Sequence, residues 1–477
     1  MMKDHMTSRI ISVIFCLLTN GLMLPAQAAS LLQSVTAITQ VFGDGQQVVA
    51  VALKYSQPMD GSKLKTSMFK VSEVVPPQLL QHDFGQPAPT QPETDCREIS
   101  RVYTNTAPAI SATGKKGAYV ILELAYTYHY LPPFKEPGKG GHGTQKQGAG
   151  NQQRRMLPQR VEIIKAYNGI TRIDDLKAQV CQVKDIKTVS GAKSSAFNTP
   201  VTSTKTINLV VDDFQQLIYK DETSGLSMAY NLFVPKDYDA TKHYPLVLFM
   251  PDATVTSPNN ETTRTLTQGT GAIIWATPGE QAKHPCFVLA PQYPLQIIND
   301  DWETNDYMDM TVNLIHELEN KYSIDTHRMY TTGQSGGCML SFAIDNKYPD
   351  LFAASLLVAG KWDSTRVSRF VTHHQKMWMF CGEGDFGAMP SMTGITHALE
   401  KLGAKVSKTT WDGRSTPEQW KGLCAKIDAE GNDFRWVTFP KGSVFRPGHE
   451  DGMEHLQTWR VVYGIEGARD WLFRQSK

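Results

Sequence analysis

The chain has 477 residues, with 48 Lys and Arg against 47 Asp and Glu, and 41% of it is hydrophobic. That length allows about three average domains, or two if one is a large α/β unit, and it suffices to bury a core without disulfide or metal support. The balanced charge argues against a polyanionic partner such as nucleic acid, and the composition excludes disorder, collagen and a multi-span membrane protein.

At the start, Lys3 and Arg9 precede an apolar run from Ile10 to Leu24, and Ala26-Gln27-Ala28 supplies a small-x-small cleavage site. The run is shorter than the roughly 20 residues that span a bilayer. Phe15 before Cys16 is too bulky for a lipoprotein cleavage site. Residues 1–28 are therefore expected to be a signal peptide of a secreted or periplasmic protein, with no stable membrane insertion after cleavage. Removing Lys3, Arg9 and Asp4 with it leaves 46 basic and 46 acidic residues. Six cysteines remain, Cys96, Cys181, Cys286, Cys338, Cys381 and Cys424. An even count in an exported chain permits up to three disulfides. Cys96–Cys181, both in the first half, is the expected pair, and the others fit buried thiols. No CxxC or His-rich spacing points to zinc, so neither metal nor cofactor is expected.

From Ser30 to Thr206 the chain is rich in Thr, Gln, Lys and Pro. Val35 to Thr39, Gln47 to Leu53, Ala118 to Leu124 and Arg160 to Ile164 read as strands with partial alternation, and Gly43-Asp44-Gly45 and Asp60-Gly61 read as turns. The pattern predicts a β-sandwich over 29–206. A Gly/Lys/Gln-rich stretch from Pro132 to Gln153 reads as a mobile loop, within which Lys135 to Lys146 is mildly basic, and the small polar segment Ser190 to Thr206 reads as a linker.

Past Ile207 the texture changes. Leu246 to Phe249, Cys286 to Ala290, Met329 to Thr332, Ser355 to Ala359 and Met377 to Cys381 are nearly continuous apolar runs, as strands buried on both faces of a parallel sheet would be. Between them, Met308, Val312, Ile315, Leu318 and Tyr322 recur at helical steps. Strands alternating with helices predict an open α/β sheet over 207–477.

Within that half, Gly333-Gln334-Ser335-Gly336-Gly337 follows a predicted strand and precedes a predicted helix, Met339 to Asn346. A nucleophile on a sharp strand-to-helix turn needs small neighbours, because the backbone is strained and other chain passes close by. Ser335 would sit at a helix N-terminus, where free N–H groups and the helix dipole favour developing negative charge.

From about Leu246 to Arg474 the sequence resembles an α/β-hydrolase esterase of the prolyl-oligopeptidase-like group. The resemblance rests on Tyr322-Ser-Ile-Asp325-Thr-His-Arg328-Met-Tyr330 before the turn and Pro349-Asp350-Leu-Phe352-Ala-Ala354 after its helix. Some secreted members carry an immunoglobulin-like domain in front, which implies that identity for the β-rich half. The expected architecture is thus an α/β hydrolase fold, mostly parallel sheet flanked by helices, preceded by an all-β immunoglobulin-like sandwich.

A serine hydroxyl needs a base, itself held by a carboxylate, and on this fold the chain order is Ser, acid, His. The resemblance implies Asp385 in Cys381-Gly-Glu-Gly-Asp385 as the acid, with Glu383 and Asp363 as weaker candidates. It implies His455 in Glu454-His455-Leu-Gln-Thr-Trp459 as the base, with His449 the alternative; His373 and His374 precede the acid and break the order. One oxyanion donor is expected at the N–H of Gly336. The other should follow Leu246 to Phe249, where relatives carry a His-Gly pair and this chain reads Met250-Pro251-Asp252-Ala253-Thr254. Pro251 cannot donate, so the donor falls to Ala253 or a neighbour at Asp252 or Thr254, and Asp252 would repel an oxyanion unless it points away.

The expected activity is hydrolysis of a small-molecule or polymer-linked carboxylic ester through an acyl-enzyme. A serine peptidase of the same group, or a binding protein with a weakly active hydrolase scaffold, are the alternatives. Trp275, Trp302, Trp362 and Trp411 read as packing rather than as an acyl pocket, and the acidic Asp300, Asp301 and Glu303 as a solvated loop.

Overall fold

A computed structural model describes residues 31–77, 90–128, 175–256, 262–450 and 452–477. The expected signal peptide, the Pro132 to Gln153 loop with its basic stretch, and the expected strand at Arg160 to Ile164 lie outside the described residues.

The first half is a two-sheet sandwich. Its strands are β1 (Leu32–Phe42), β2 (Gly45–Tyr55), β3 (Phe69–Val75), β4 (Glu93–Arg97), β5 (Ile99–Asn105), β6 (Tyr119–Leu124), β7 (Lys177–Gln182), β8 (Ile186–Lys187), β9 (Lys193–Ser194), β10 (Phe197–Thr202) and β11 (Lys205–Asn208). One sheet runs β11-β1-β2-β6-β5 and the other β10-β7-β3-β4, with β8 and β9 a separate hairpin. Val35, Val51, Leu53, Val120 and Leu122 of the first sheet share one core with Phe69, Val71, Ala178 and Val180 of the second. The alternation in β2 is partial because its other face is also covered: Ala50 and Ala52 pack with Ile38, Tyr103 and Ile121.

Two expectations are corrected here. Ser190 to Thr206 is not a linker, for it supplies β9, β10 and half of β11, and the last sandwich strand ends at Asn208, just past the expected division. β10 and β11 are edge strands, held by backbone bonds on one side, and β10 is almost wholly exposed. Such strands need no apolar face, so their composition reads as loop. Nor is Cys96 bonded to Cys181, whose Sγ donates instead to Asn198 O at 3.2 Å. Cys96 pairs with Ser72 and Cys181 with Lys70, on strands flanking β3 from opposite sides. Two strand spacings are about 9.6 Å, beyond the reach of a disulfide.

The second half is built on a nine-stranded sheet: β12 (Gln215–Lys220), β13 (Ser227–Phe233), β14 (Tyr244–Met250), β15 (Phe287–Gln292), β16 (Ile324–Gln334), β17 (Ala354–Val358), β18 (Met377–Gly382), β19 (Val406–Thr410) and β20 (Phe434–Phe439), in the order β12-β13-β15-β14-β16-β17-β18-β20-β19. All strands from β15 to β19 in that order pair in parallel; β13 is antiparallel to both neighbours. Every residue of β14, β15, β17, β18 and β20 is buried, in keeping with their largely apolar runs. The longer helices are α1 (Asp306–Lys321), α2 (Gly336–Lys347), α3 (Ala388–Lys401), α4 (Pro417–Ala429), α5 (Glu454–Gly464) and α6 (Glu466–Phe473). α1 buries Met308, Val312, Ile315 and Leu318, and Asn305 caps it by accepting from the Tyr307 N–H. The parallel strands direct the C-terminal ends of β14, β16, β18 and β20 to one edge of the sheet, where open α/β sheets place their sites.

Candidate active site

Four loops meet at that edge. The first is the turn between β16 and α2. Ser335 adopts φ 53° and ψ −120°, outside the ordinary regions for an L-residue, and its N–H donates to Val358 O at 3.0 Å. The hydroxyl makes no cap bond to α2. The conformation survives because the surroundings leave no alternative. A Cβ on Gly333 would collide with the Gly337 carbonyl, and one on Gly337 with the carbonyl of Met250. Gly337 is thus required by close backbone passage from β14, and Gly333 by the tightness of the turn itself.

The second loop follows β14. A Cβ on Gly336 would stand 3.1 Å from Ala253 N, which brings the backbones of the two expected oxyanion donors side by side. Asp252 is buried, and Gln334 Nε2 donates to its Oδ2 at 3.4 Å and to Gln268 Oε1 at 3.2 Å. The residue preceding the serine therefore engages the carboxylate that the sequence flagged as a source of repulsion. Sequence reading passed over Gln334 because only its neighbours fit a motif.

The third loop follows β18. Asp385 is buried, and its Oδ1 accepts from Gly387 N (3.1 Å) and Ala388 N (2.9 Å) at the start of α3, while Oδ2 faces His455 Nδ1 at 2.5 Å. Burial pushes the carboxyl up, but the bonds from His455, Ala388 and Gly387 outweigh it and hold Asp385 below the ordinary carboxylate range. The weaker acid candidates are engaged elsewhere. Glu383 Oε1 accepts from Thr438 Oγ1 at 3.1 Å, and Asp363 caps a turn at Thr365 and pairs with Arg366.

The fourth loop, after β20, leads into α5 with His455 in its first turn. Nδ1 is taken by Asp385, which leaves Nε2 as the nitrogen available to a hydroxyl. The ring meets Trp459, one turn on, edge to face at 5.2 Å. His449 instead lies against the Tyr128 ring of the sandwich half at 4.1 Å. Arg446 covers Tyr126, Gln457 Nε2 donates to the Tyr128 hydroxyl at 3.3 Å, and a Cβ on Gly43 would run into Arg460. The sandwich thus packs on the segment that carries both histidines, a contact with no local sequence signal. Exposed His373 pairs with Asp350 away from this edge.

Other candidates fall outside the site. Trp275, Trp362 and Trp411 are core residues, and Trp302 is half-buried against the same core. Asp300 pairs with Lys361, while Asn299 organises the Asp301 and Glu303 backbone. Glu280, His284 and Asp470 cluster as metal ligands would, but Arg469 already holds Glu280 and His284 bonds Asp470. His284 lies just before β15, at the opposite edge of the sheet from Ser335.

Comparisons with known proteins match both halves of the chain. The profile of the Esterase Ig-like N-terminal domain matches residues 34–195, and that of the Prolyl oligopeptidase family matches residues 295–451. The crystal structure of a thermostable esterase superposes on 93% of this chain and 100% of its own, with a TM-score of 0.69 and 26% identity. The protein is an α/β hydrolase fronted by an esterase-type immunoglobulin-like domain. The hydrolase is also 27% identical over 119 residues to Probable acetylxylan esterase A of Aspergillus clavatus, a match that spans 23% of this chain and 37% of that relative. No helix among its described residues is long and apolar enough to cross a membrane.

Proposed function

We propose that this hydrolase is an exported serine esterase that cleaves carboxylic esters through Ser335, His455 and Asp385. The observation that carries the reading is the Asp385–His455 bond on the same sheet edge as the strained Ser335 turn. Ser335 Oγ attacks the acyl carbon while its proton passes to His455 Nε2. Asp385, accepting from Nδ1, orients the ring and stabilises the imidazolium. The N–H groups of Gly336 and Ala253 receive the oxyanion, and loss of one such donor typically costs about 3–4 kcal/mol of transition-state stabilisation. Collapse expels the alcohol, which takes the proton from His455, and water then releases the acid from the acyl-enzyme by the same steps. Neither metal nor cofactor enters these steps. The esterase-named relatives support an ester as substrate, whether small or polymer-linked.

The test is hydrolysis of p-nitrophenyl esters from acetate to palmitate by the mature chain and by Ser335→Ala, beside fluorophosphonate labelling. Turnover and labelling that both vanish in the variant are expected, and the chain-length profile then sizes the acyl pocket. Near-normal turnover by Ser335→Ala would remove the nucleophile from the proposal. Cleavage of Xaa-Pro anilides but of no ester would favour a peptidase, the reading that the prolyl oligopeptidase match also allows.

A further inference from the structure

We infer that Glu454 is a positioning residue for the proposed acid and base, an inference that rests on the reading of Asp385 and His455 above. Glu454 immediately precedes His455 in α5 and is buried. Each carboxylate oxygen has its own backbone partner from a different loop. Oε2 accepts from Gly384 N at 2.7 Å, in the turn that carries Asp385; Oε1 accepts from Gly442 N at 2.6 Å, in the loop after β20. One side chain thereby ties the acid turn, the loop that delivers the histidine, and the helix on which the histidine sits.

The fit around it is close. A Cβ on Gly384 would overlap the Glu454 carboxylate, and one on Gly382 would stand 3.0 Å from its Oε2 and 3.0 Å from Thr458 Oγ1. Thr458, one turn along α5, donates back to Glu454 O at 2.8 Å and holds the first turn in register. Without the carboxylate, two half-buried N–H groups from separate loops would lose their acceptor. The Asp385–His455 bond would then join the acid turn to the histidine helix without this brace, the turn's other bonds going to the end of β20. A bond of 2.5 Å between groups on separate loops depends on their relative placement, and a displacement of about 1 Å in such a pair can cost around 10²-fold in rate. Glu454 acts through this placement, without touching substrate.

The test compares Glu454→Gln, Glu454→Ala and Gly384→Ala with the parent, reading kcat and KM on a p-nitrophenyl ester with folding followed by circular dichroism. Glutamine keeps one acceptor and turns a donor toward the other N–H, so an order of about tenfold loss in kcat is expected for it, against about 10²-fold for alanine. KM should stay within about twofold, because the substrate contacts are untouched. Gly384→Ala should lower kcat in the parent and add little in the Glu454→Ala background, as contacting residues do. Folded Glu454 variants with parental kcat, or variants that lose kcat only in proportion to the folded fraction, would overturn the inference. Ser335→Ala run in parallel separates the two levels. A dead Ser335→Ala beside fully active Glu454 variants sinks this inference alone, whereas an active Ser335→Ala sinks the reading of the site.

Discussion

The serine turn and the histidine segment sit at the same sheet edge but are held in different ways. Around Ser335, restraint comes from five consecutive residues and the strand beside them: small side chains at Gly333 and Gly337, tight passage past Met250, and one bond to Val358. The histidine segment has no such self-contained turn. It is held by Asp385 from the loop after β18, by Glu454 bridging two loops, and by Tyr126 and Tyr128 of the sandwich. The contrast teaches that the turn of the proposed nucleophile is encoded locally, because strain at one residue needs only close neighbours. A base must meet both the nucleophile and its own carboxylate, so it can be placed only by the assembled fold.

The largest expected effect tests which histidine belongs to the assembly. His455→Ala should lower kcat by a factor on the order of 10⁶, the scale seen when a triad member is deleted. His449→Ala should leave kcat within about tenfold and remove only a ring contact worth about 0.5–1.5 kcal/mol. Loss of turnover in His449→Ala alone would reverse the assignment. Next, Asp385→Asn should reduce kcat about 10⁴-fold with the fold retained, since the amide disturbs the tautomer and not the packing; steady-state kinetics on one ester suffices to check it.

The locally held turn should fail through folding instead. Gly337→Ala drives a Cβ into the Met250 carbonyl, and overpacking of this kind costs about 1–3 kcal/mol or more. A lower midpoint in urea is therefore expected, whereas Ser335→Ala should unfold like the parent. Equal stability of the two variants would show that the turn has more room than its packing implies.

The smallest expected effect is in pH dependence, where two buried aspartates should behave oppositely. Asp385 is held below the ordinary value of 3.8, so its contribution to stability is present above that value and fades as pH falls through the lower, folded one. Asp345, in α2, is buried with Ser355 Oγ donating to it at 2.7 Å, and desolvation pushes it up to about 7. A raised carboxyl pKa favours the protonated folded form, so stability is lost as pH rises from about 4 through 7. Thermal midpoints at pH 4 and pH 8 should show Asp345→Asn sparing the protein this alkaline loss, and an identical profile for variant and parent would rule it out.

Composition and periodicity alone pointed to an all-β half and an α/β half, because a strand buried on both faces must be apolar throughout and a half-buried helix must repeat at its own pitch. Ser335 was legible for the same reason: its constraint is written in adjacent glycines. Asp385 and His455 were legible only as candidates, ordered along the chain, and the fold brings that pair to 2.5 Å while turning His449 toward Tyr128. Three further features were invisible in the sequence. The edge strand β10 is almost wholly exposed and β11 sets only Ile207 against a core, Cys96 and Cys181 are separated by a strand, and Glu454 gains its importance from the backbone N–H groups of Gly384 and Gly442. Each depends on groups distant in the chain, and backbone donors are alike at every residue, so only tertiary structure decides which of them a buried carboxylate will meet.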